Sequence, residues 1–350
     1  MASSFVPRTV FPALDSLPRS YFLGHHRAGL AKMKTMLSTI DLVIECRDYR
    51  VPLTSHNPLF EESLAERERM VVYTKKDLGS NDTAADAERE SLLRTHHAPH
   101  PTHFSTCTSP PSTRRILTTL KAHANALSHH SLTGPRILVV GMPNVGKSSL
   151  LNALRAVSLS RGKVAHTGAQ PGITRKIGTG VKILEGRQLE AEGGEGVYMM
   201  DTPGVFIPYV PNAQAMLKLA LCGMVKDTII SPVTLADYLL FWINKVDPTL
   251  YAEYHEPTNE IVQLLEAVAR KTGRLMKGGV PDVEGCALWI VQRWRNGLLG
   301  RFVLDEVSKE VLLEDGRRRK EGGPISLNQA RRADKEAKRV ISRSKKKAVG

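Results

Sequence analysis

Short apolar runs of three to five residues recur along the first two hundred positions, and each is bounded by polar or glycine-containing stretches. Such runs are typical of buried β-strands, and we predict strands at 42–46, 70–73, 102–104, 136–140, 181–184 and 197–200. Helical patterns alternate with these apolar runs. One starts at Gly24, before the first run, one lies within 79–100 and one covers 113–126. This alternation predicts an α/β fold with a mainly parallel sheet that is covered by helices on both faces.

The pattern changes at about residue 211. Apolar residues then recur three and four positions apart, most clearly within 261–269 and 288–294, as they do along one face of a helix. The sequence therefore predicts an α/β domain that ends at residue 210, a small all-α domain over 211–313 and a tail over 314–350.

Composition narrows the class of protein. Of the 350 residues, 41% are apolar and 24% are charged, as in ordinary globular proteins. No run approaches the ~18 consecutive apolar residues that a membrane-spanning helix needs. The cysteines form no C-x-x-C pair and no dense disulfide framework, so we expect free thiols in a reducing compartment. They are Cys46, Cys107, Cys222 and Cys286.

The net charge of +14 is concentrated near the C-terminus. Residues 316–350 hold 13 Lys or Arg and 3 Asp or Glu, a surplus of +10, which leaves +4 for the other 315 residues. Such a block is either a solvated tail or an arm that binds phosphate groups. Charge alone does not distinguish RNA from an anionic membrane surface.

Residues 1–20 have the composition of an organelle transit peptide. They contain two arginines, Arg8 and Arg19, four serines and a single acid, Asp15. Three prolines interrupt the amphipathic helix that such peptides form. From this composition we predict a transit-like segment over 1–20 and import into mitochondria.

A phosphate-binding loop follows the predicted strand 136–140. Residues 141–148 read Gly-Met-Pro-Asn-Val-Gly-Lys-Ser and fit G-x-x-x-x-G-K-[ST] in the strand-to-helix context that this pattern requires. In such loops, backbone N–H groups surround the phosphates, the lysine reaches the β and γ oxygens and the final hydroxyl ligates Mg²⁺. We predict phosphate contacts from Asn144, Val145, Gly146, Lys147, Ser148 and Ser149.

Two segments downstream predict the rest of a magnesium site. Asp201 ends the strand 197–200 and opens Asp-Thr-Pro-Gly, where the carboxylate would hold the magnesium shell and the N–H of Gly204 would approach the γ-phosphate. Thr174, in Pro-Gly-Ile-Thr-Arg, would supply a second hydroxyl. The predicted metal ligands are therefore Ser148, Thr174 and Asp201.

A guanine-recognition motif stands upstream of the phosphate loop. Thr74-Lys75-Lys76-Asp77 ends the strand 70–73 and resembles N-K-x-D, in which the aspartate accepts hydrogen bonds from the ring N–H and exocyclic amine of guanine. Thr106 and Cys107, after the strand 102–104, occupy the place of the base-contacting loop. The guanine half thus precedes the phosphate half, and we predict a circular permutation of the ordinary GTPase order.

Together these motifs resemble the YlqF/RbgA-type circularly permuted GTPases that help to assemble the large ribosomal subunit, and most closely their mitochondrial branch. Further matches are Phe-Leu-Gly-His at 22–25, Asp-Tyr-Arg-Val-Pro-Leu at 48–53, Asn-Pro-Leu at 57–59 and the stretches 277–282 and 297–302. The resemblance implies a P-loop GTPase domain over 21–210, with a guanine half (21–130) and a phosphate half (134–210). It also implies that the helical domain 211–313 binds RNA or the ribosome.

Departures from the family pattern bear on catalysis. Thr74 replaces asparagine, so a hydroxyl stands where an amide bridges the guanine and phosphate loops. Val205, after Asp-Thr-Pro-Gly, replaces the glutamine that orients water in Ras-type enzymes, and we expect slow intrinsic hydrolysis. The catalytic candidates are Lys147, Thr174, Asn144, which accompanies K⁺ in related loops, and His25.

The resemblance implies GTP and GDP as ligands, with Mg²⁺ and K⁺, and the mitochondrial large ribosomal subunit and its rRNA as partners. We expect rRNA contacts from Arg293, Arg295, Arg301 and the tail, a monomer off the ribosome and a matrix location, with peripheral attachment to the inner membrane left open. Trp294 is either a core residue or a platform for a base. Three alternatives remain: an ATP-using kinase, a non-hydrolysing RNA-binding scaffold and a nucleolar or cytoplasmic assembly GTPase.

Overall fold

The structure, a computed structural model, describes residues 5–14, 17–18, 21, 24–64, 67–127, 134–160, 162–165, 174, 177–189, 195–210 and 212–321. Its centre is one six-stranded sheet in the order β3-β2-β1-β4-β6-β5. The strands are β1 (Leu42–Asp48), β2 (Glu68–Thr74), β3 (Thr102–Phe104), β4 (Arg136–Gly141), β5 (Val181–Leu184) and β6 (Val197–Asp201). All pairs are parallel except β5 with β6. The predicted mainly parallel sheet and its six strands are confirmed.

Strand β1 lies at the middle of the sheet and joins its two halves. It pairs with β2 on one side and with β4 on the other, and all seven of its residues are buried. The apolar run 42–46 therefore marked only part of the strand. The strand continues through two charged residues, Arg47 and Asp48, because their charges are paired inside the protein.

Ten helices surround the sheet within the described ranges. They are α1 (Gly24–Met36), α2 (Pro58–Leu64), α3 (Thr83–His97), α4 (Pro110–Leu127), α5 (Lys147–Leu159), α6 (Ala213–Leu221), α7 (Pro232–Val246), α8 (Ile261–Thr272), α9 (Val283–Arg295) and α10 (Lys309–Glu321). Local chemistry fixes several ends: the side chain of Asp82 accepts from two N–H groups of α3, and Gly273, at φ 70°, ends α8. None of these helices is long and apolar enough to cross a membrane.

The helical region after residue 211 shares its core with the sheet. One buried cluster includes Ile44 on β1, Leu150 on α5, Leu239 on α7 and Trp294 on α9. Burial of apolar surface thus holds the helical region against the α/β region.

Helix α10 crosses the predicted start of the tail at 314. Its one well-buried apolar residue, Leu312, packs in a small cluster with Tyr73 and Leu93. Arg319 donates to Glu61 on α2 at 2.9 Å. The last described helix, which includes residues 314–321 of the predicted tail, is therefore tied to the first half of the chain.

Candidate functional site

The predicted motifs meet at one edge of the sheet. The register pairs Asp48 with Thr74, Cys46 with Gly141 and Val139 with Asp201. These strands are parallel, so their carboxyl ends, and the loops that follow them, lie side by side. Groups more than one hundred positions apart in the sequence consequently share one site.

The phosphate loop adopts the backbone conformation that the glycine pattern requires. Gly141 has φ 150° and Gly146 has φ 94°, and Asn144 is left-handed at φ 57°. A Cβ added at Gly146 would lie 3.2 Å from Thr74 Oγ1. Helix α5 begins directly at Lys147, and no described side chain caps it, so its first N–H groups are available to an anion.

Lys147 lies across the phosphate loop. Its Nζ donates to the carbonyl of Gly141 at 3.2 Å and to that of Met142 at 2.8 Å. Burial lowers the pKa of this ammonium, and the carboxylate of Asp201 opposes that shift. A phosphate oxygen is a stronger acceptor than these neutral carbonyls, so the lysine is positioned to transfer its hydrogen bonds to a nucleotide.

The three predicted metal ligands lie together. Ser148 Oγ donates to Asp201 Oδ2 and lies 3.3 Å from Thr174 Oγ1. The other carboxylate oxygen, Asp201 Oδ1, is buried and has no hydrogen-bond partner among the described residues. A carboxylate and two hydroxyls are hard oxygen donors of the kind that Mg²⁺ prefers. The donor set therefore fits Mg²⁺, and the described ranges hold no cluster of three His, Cys, Asp or Glu that would bind a metal elsewhere.

The Asp-Thr-Pro-Gly loop packs directly on the phosphate loop. Thr202 Oγ1 donates to the carbonyl of Val139 at 2.6 Å, and the N–H of Val205 donates to the carbonyl of Gly141 at 3.2 Å. A Cβ at Gly204 would lie 2.4 Å from Pro143 Cα, so any other residue there would force the loops apart. Val205 itself is fully buried.

Two side chains of the guanine motif bridge to the phosphate loop. Thr74 Oγ1 donates to the carbonyl of Val145, and Lys75 Nζ donates to the carbonyl of Asn144 at 2.6 Å. The hydroxyl of Thr74 thus makes a link between the two loops itself. Asp77 follows with an exposed carboxylate.

Lys76 and the loop after β3 lie side by side, next to the rest of the guanine motif. The side chain of Lys76 pairs with Glu90 on α3, outside the site, while its N–H donates to the carbonyl of Ser105 at 3.2 Å and ties the two loops together. The N–H of Thr106 donates to Ser112 Oγ at 3.1 Å, and Cys107 is half-buried beside it. The contact of Lys76 with the loop after β3 is therefore made by its backbone.

Asp48 is a site residue that sequence reasoning missed. Its carboxylate is fully buried and accepts from Lys75 Nζ at 2.9 Å and from Arg50 Nε and Nη2 at 3.0 and 2.8 Å. Burial alone would raise the pKa of Asp48, but Arg50 and Lys75 hold it well below its usual range. The signal was the Asp-x-Arg spacing at 48–50, which in the sequence marks only the family resemblance.

The site also contacts the helical region. Asn144 Nδ2 donates to the carbonyl of Gly223, just after α6, at 3.2 Å. The Arg50 guanidinium lies 4.9 Å from the ring centroid of Trp294, which is 1% exposed. Trp294 is therefore a core residue. His25 is the second residue of α1, and its side chain is not among those that the structure describes.

Arg295, for which an RNA contact is expected, makes internal contacts instead of presenting its charge to solvent. Its guanidinium donates to the carbonyls of Ala220 and Leu221 at 2.8 and 2.9 Å and pairs with Asp227, at 2.7 Å from Nη2. These bonds satisfy carbonyls at the end of α6, and only 8% of the side chain is exposed. Arg293 lies over the Trp289 ring at 4.8 Å and is 29% exposed.

A P-loop with a guanine motif upstream, on a sheet ordered in this way, defines the class: a circularly permuted GTPase. Residues 136–274 match the family described as 50S ribosome-binding GTPase. The fold is similar to that of GNP-bound YlqF from T. maritima, with a TM-score of 0.53 and 21% identity, over 79% of this chain and 97% of that one.

Two relatives are similar over nearly the whole chain. Mitochondrial GTPase 1 of Schizosaccharomyces pombe is 36% identical over 327 residues, 89% of this chain and 96% of that protein. Mitochondrial ribosome-associated GTPase 1 of Bos taurus is 33% identical over 320 residues, 85% and 92% of the two chains. The chain belongs to this mitochondrial branch of the YlqF/RbgA-type GTPase family.

Proposed function

We propose that the protein hydrolyses GTP slowly, and that it acts in mitochondria in the assembly of the large ribosomal subunit, whose rRNA it binds according to its nucleotide state. The observation that carries the nucleotide part is the bond from Lys75 to the carbonyl of Asn144, 69 positions away. It joins the guanine motif to the phosphate loop, so both halves serve one nucleotide. The names of the relatives support the ribosomal and mitochondrial parts.

In the proposed reaction, the side chains mainly position the nucleotide and stabilise charge. Lys147 would turn from its carbonyl partners to the β and γ oxygens, and the N–H of Gly204 would contact the γ-phosphate. Ser148, Thr174 and Asp201 would hold Mg²⁺, which when bound neutralises charge on the phosphates.

Slow hydrolysis follows from the position after Gly204. Val205 is buried and apolar, and its N–H is already bonded to Gly141, so this residue offers no group to orient water. We assign the catalytic role that the glutamine has in Ras-type enzymes either to K⁺ held near Asn144, whose side-chain oxygen suits an alkali cation, or to His25. The bond from Asn144 to Gly223 would carry the nucleotide state to α6.

For rRNA binding, an exposed basic edge replaces Arg295. Residues 271–280 are all exposed and include Lys271, Arg274 and Lys277. Arg301 is also exposed. These side chains and those of the basic tail can contact RNA phosphates without breaking a bond to a buried group.

GTP and ATP binding and turnover, measured with Asp77→Ala, test the nucleotide proposal. We expect the wild-type protein to prefer GTP, and its turnover to rise with purified mitochondrial large subunits, more in K⁺ than in Na⁺. Asp77→Ala should lose most of this preference, by about 1–3 kcal/mol for the lost hydrogen bonds, whereas the neighbouring control Lys76→Ala should keep it. A preference for ATP would favour a kinase, and GTP binding without turnover would favour a scaffold.

Deletion of residues 322–350 tests the rRNA proposal. The deletion removes nine basic and two acidic residues and leaves α10 with Arg319 intact. We expect weaker binding to large-subunit rRNA and a shallower dependence of log K on log salt, by roughly 0.7–0.9 for each phosphate that the tail neutralises. Equal affinity and equal slope for the full and shortened chains would exclude the tail from the interface.

A further inference from the structure

Residues 5–14 fall within the segment that composition assigns to a transit peptide, yet they pack on helix α7. Phe11 is only 5% exposed. Its ring lies 5.0 Å from that of Tyr238, edge to face, and 5.7 Å from that of Phe241. The flanking Val10 is 71% exposed, so Phe11 is the one aromatic side chain by which residues 10 and 11 contact α7.

Polar contacts fix the same segment at a second point. Arg8 Nη2 donates to Asp237 Oδ1 at 2.5 Å, and its Nη1 donates to Oδ2 of the same carboxylate at 3.2 Å. Such a two-point pair requires a defined geometry of the guanidinium and the carboxylate. Both side chains are about one-fifth exposed, so solvent screens the pair only partly.

The backbone of the segment is also held. Asn259, just before α8, accepts from the N–H of Arg8 at 3.3 Å through Oδ1 and donates from Nδ2 to the carbonyl of Val6 at 2.9 Å. Asn259 lies beside Asn244 of α7, whose amide donates to it at 3.3 Å. The segment thus contacts α7 and the turn before α8 with both side chains and backbone.

These contacts argue against removal of residues 5–14 after import. Arg8 is the only basic residue within 5–14, and its charge is paired with Asp237 once the protein has folded. An import receptor could therefore bind this charged side chain only while the chain is unfolded. Removal of the segment would also uncover the rings of Tyr238 and Phe241, which are otherwise buried.

We propose that residues 5–14 are a permanent strap on helix α7 and remain attached in the mature protein, so that any proteolytic processing occurs before Phe5. The part concerning import rests on the proposed mitochondrial location. The strap itself is a property of the folded chain and does not depend on that location.

Mass spectrometry of the mature protein and stability measurements test this proposal together. The full chain with a C-terminal tag is purified from mitochondria, and its N-terminal peptide is identified. We expect a peptide that contains residues 5–14, whereas a mature N-terminus at any residue after Phe5 would overturn the proposal. If the tagged chain is absent from mitochondria, the location fails, and the strap is judged on the recombinant protein alone.

On the recombinant full chain, the anchor and a matched exposed neighbour are compared. Phe11→Ala should lower Tm by roughly 5–10 °C, and Val10→Ala by less than about 1 °C. Asp237→Asn and Arg8→Gln should each lower Tm, and the double variant should lower it by less than the sum of the two. Equal Tm values for Phe11→Ala and Val10→Ala, with additive effects at Arg8 and Asp237, would show that the strap contributes nothing to the fold.

Discussion

Replacing Lys147 with alanine is expected to reduce GTP turnover by about 10²–10³-fold. The ammonium lies over the phosphate loop, 2.8 Å from the carbonyl of Met142, and it is the cation placed to reach the β and γ oxygens. The charge that develops on these oxygens would lose its fixed partner. Phosphate release at saturating GTP, with large subunits present, measures the effect.

Two comparisons make the Lys147 result specific. Lys32→Ala removes an exposed lysine on α1 and should leave turnover unchanged. The thermal stability of Lys147→Ala should stay close to that of the wild type, because burial already disfavours the charged form of this side chain and lowers its pKa. A loss of turnover smaller than about threefold, with the fold intact, would contradict the role that we assign to the lysine.

Replacing Asp48 with asparagine is expected to lower the free energy of unfolding by roughly 3–5 kcal/mol. Asp48 and Arg50 are both fully buried, and the carboxylate accepts from the arginine and from Lys75. Without the carboxylate, the buried guanidinium of Arg50 would lose its counter-charge and would face the partly exposed ammonium of Lys75. The loss should also weaken GTP binding, because Lys75 connects the guanine motif to the phosphate loop.

Urea unfolding at several pH values measures the Asp48 effect. The pKa of Asp48 is lowered in the folded chain, so its stabilising contribution is complete above the unfolded value of about 3.9 and is lost as the pH falls toward the folded value. The gap between wild type and Asp48→Asn should therefore narrow in acid. Glu266→Gln is the matched control, since it breaks an exposed pair with Arg270 and should cost less than about 1 kcal/mol. Equal losses for the two variants would contradict the buried-pair argument.

The sequence alone predicted the fold because its strands are short, apolar and separated by turns. The meeting of Ser148 and Asp201 also followed from the sequence, since both stand at the carboxyl ends of parallel strands, β4 and β6. Thr174 was placed with them only because it lies between these two motifs in the sequence. The loop after β3 and the guanine motif were placed side by side because they too follow parallel strands. Local pattern and topology were sufficient at these positions.

Other features depended on partners that are distant in sequence. Arg295 looks like an RNA contact when it is read beside Arg293, and only folding brings Asp227 to it. Helix α10 buries one large apolar residue, Leu312, so it has no apolar periodicity to detect, and ion pairs such as Arg319 with Glu61 secure it. Asp48 could not be identified from the sequence because the cations that pair with it come from separate segments. Arg50 lies in the turn after β1, and Lys75 follows the end of β2.

The central position of β1 has a consequence for how the chain is made. As the polypeptide leaves a ribosome, β1, β2 and β3 are complete while β4 is still to be synthesised, so β1 is then an open sheet edge with both faces apolar in part. An edge of this kind readily pairs with other chains. The permutation places the guanine half first in the chain, so one side of β1 stays unpaired until β4 of the phosphate half has been synthesised.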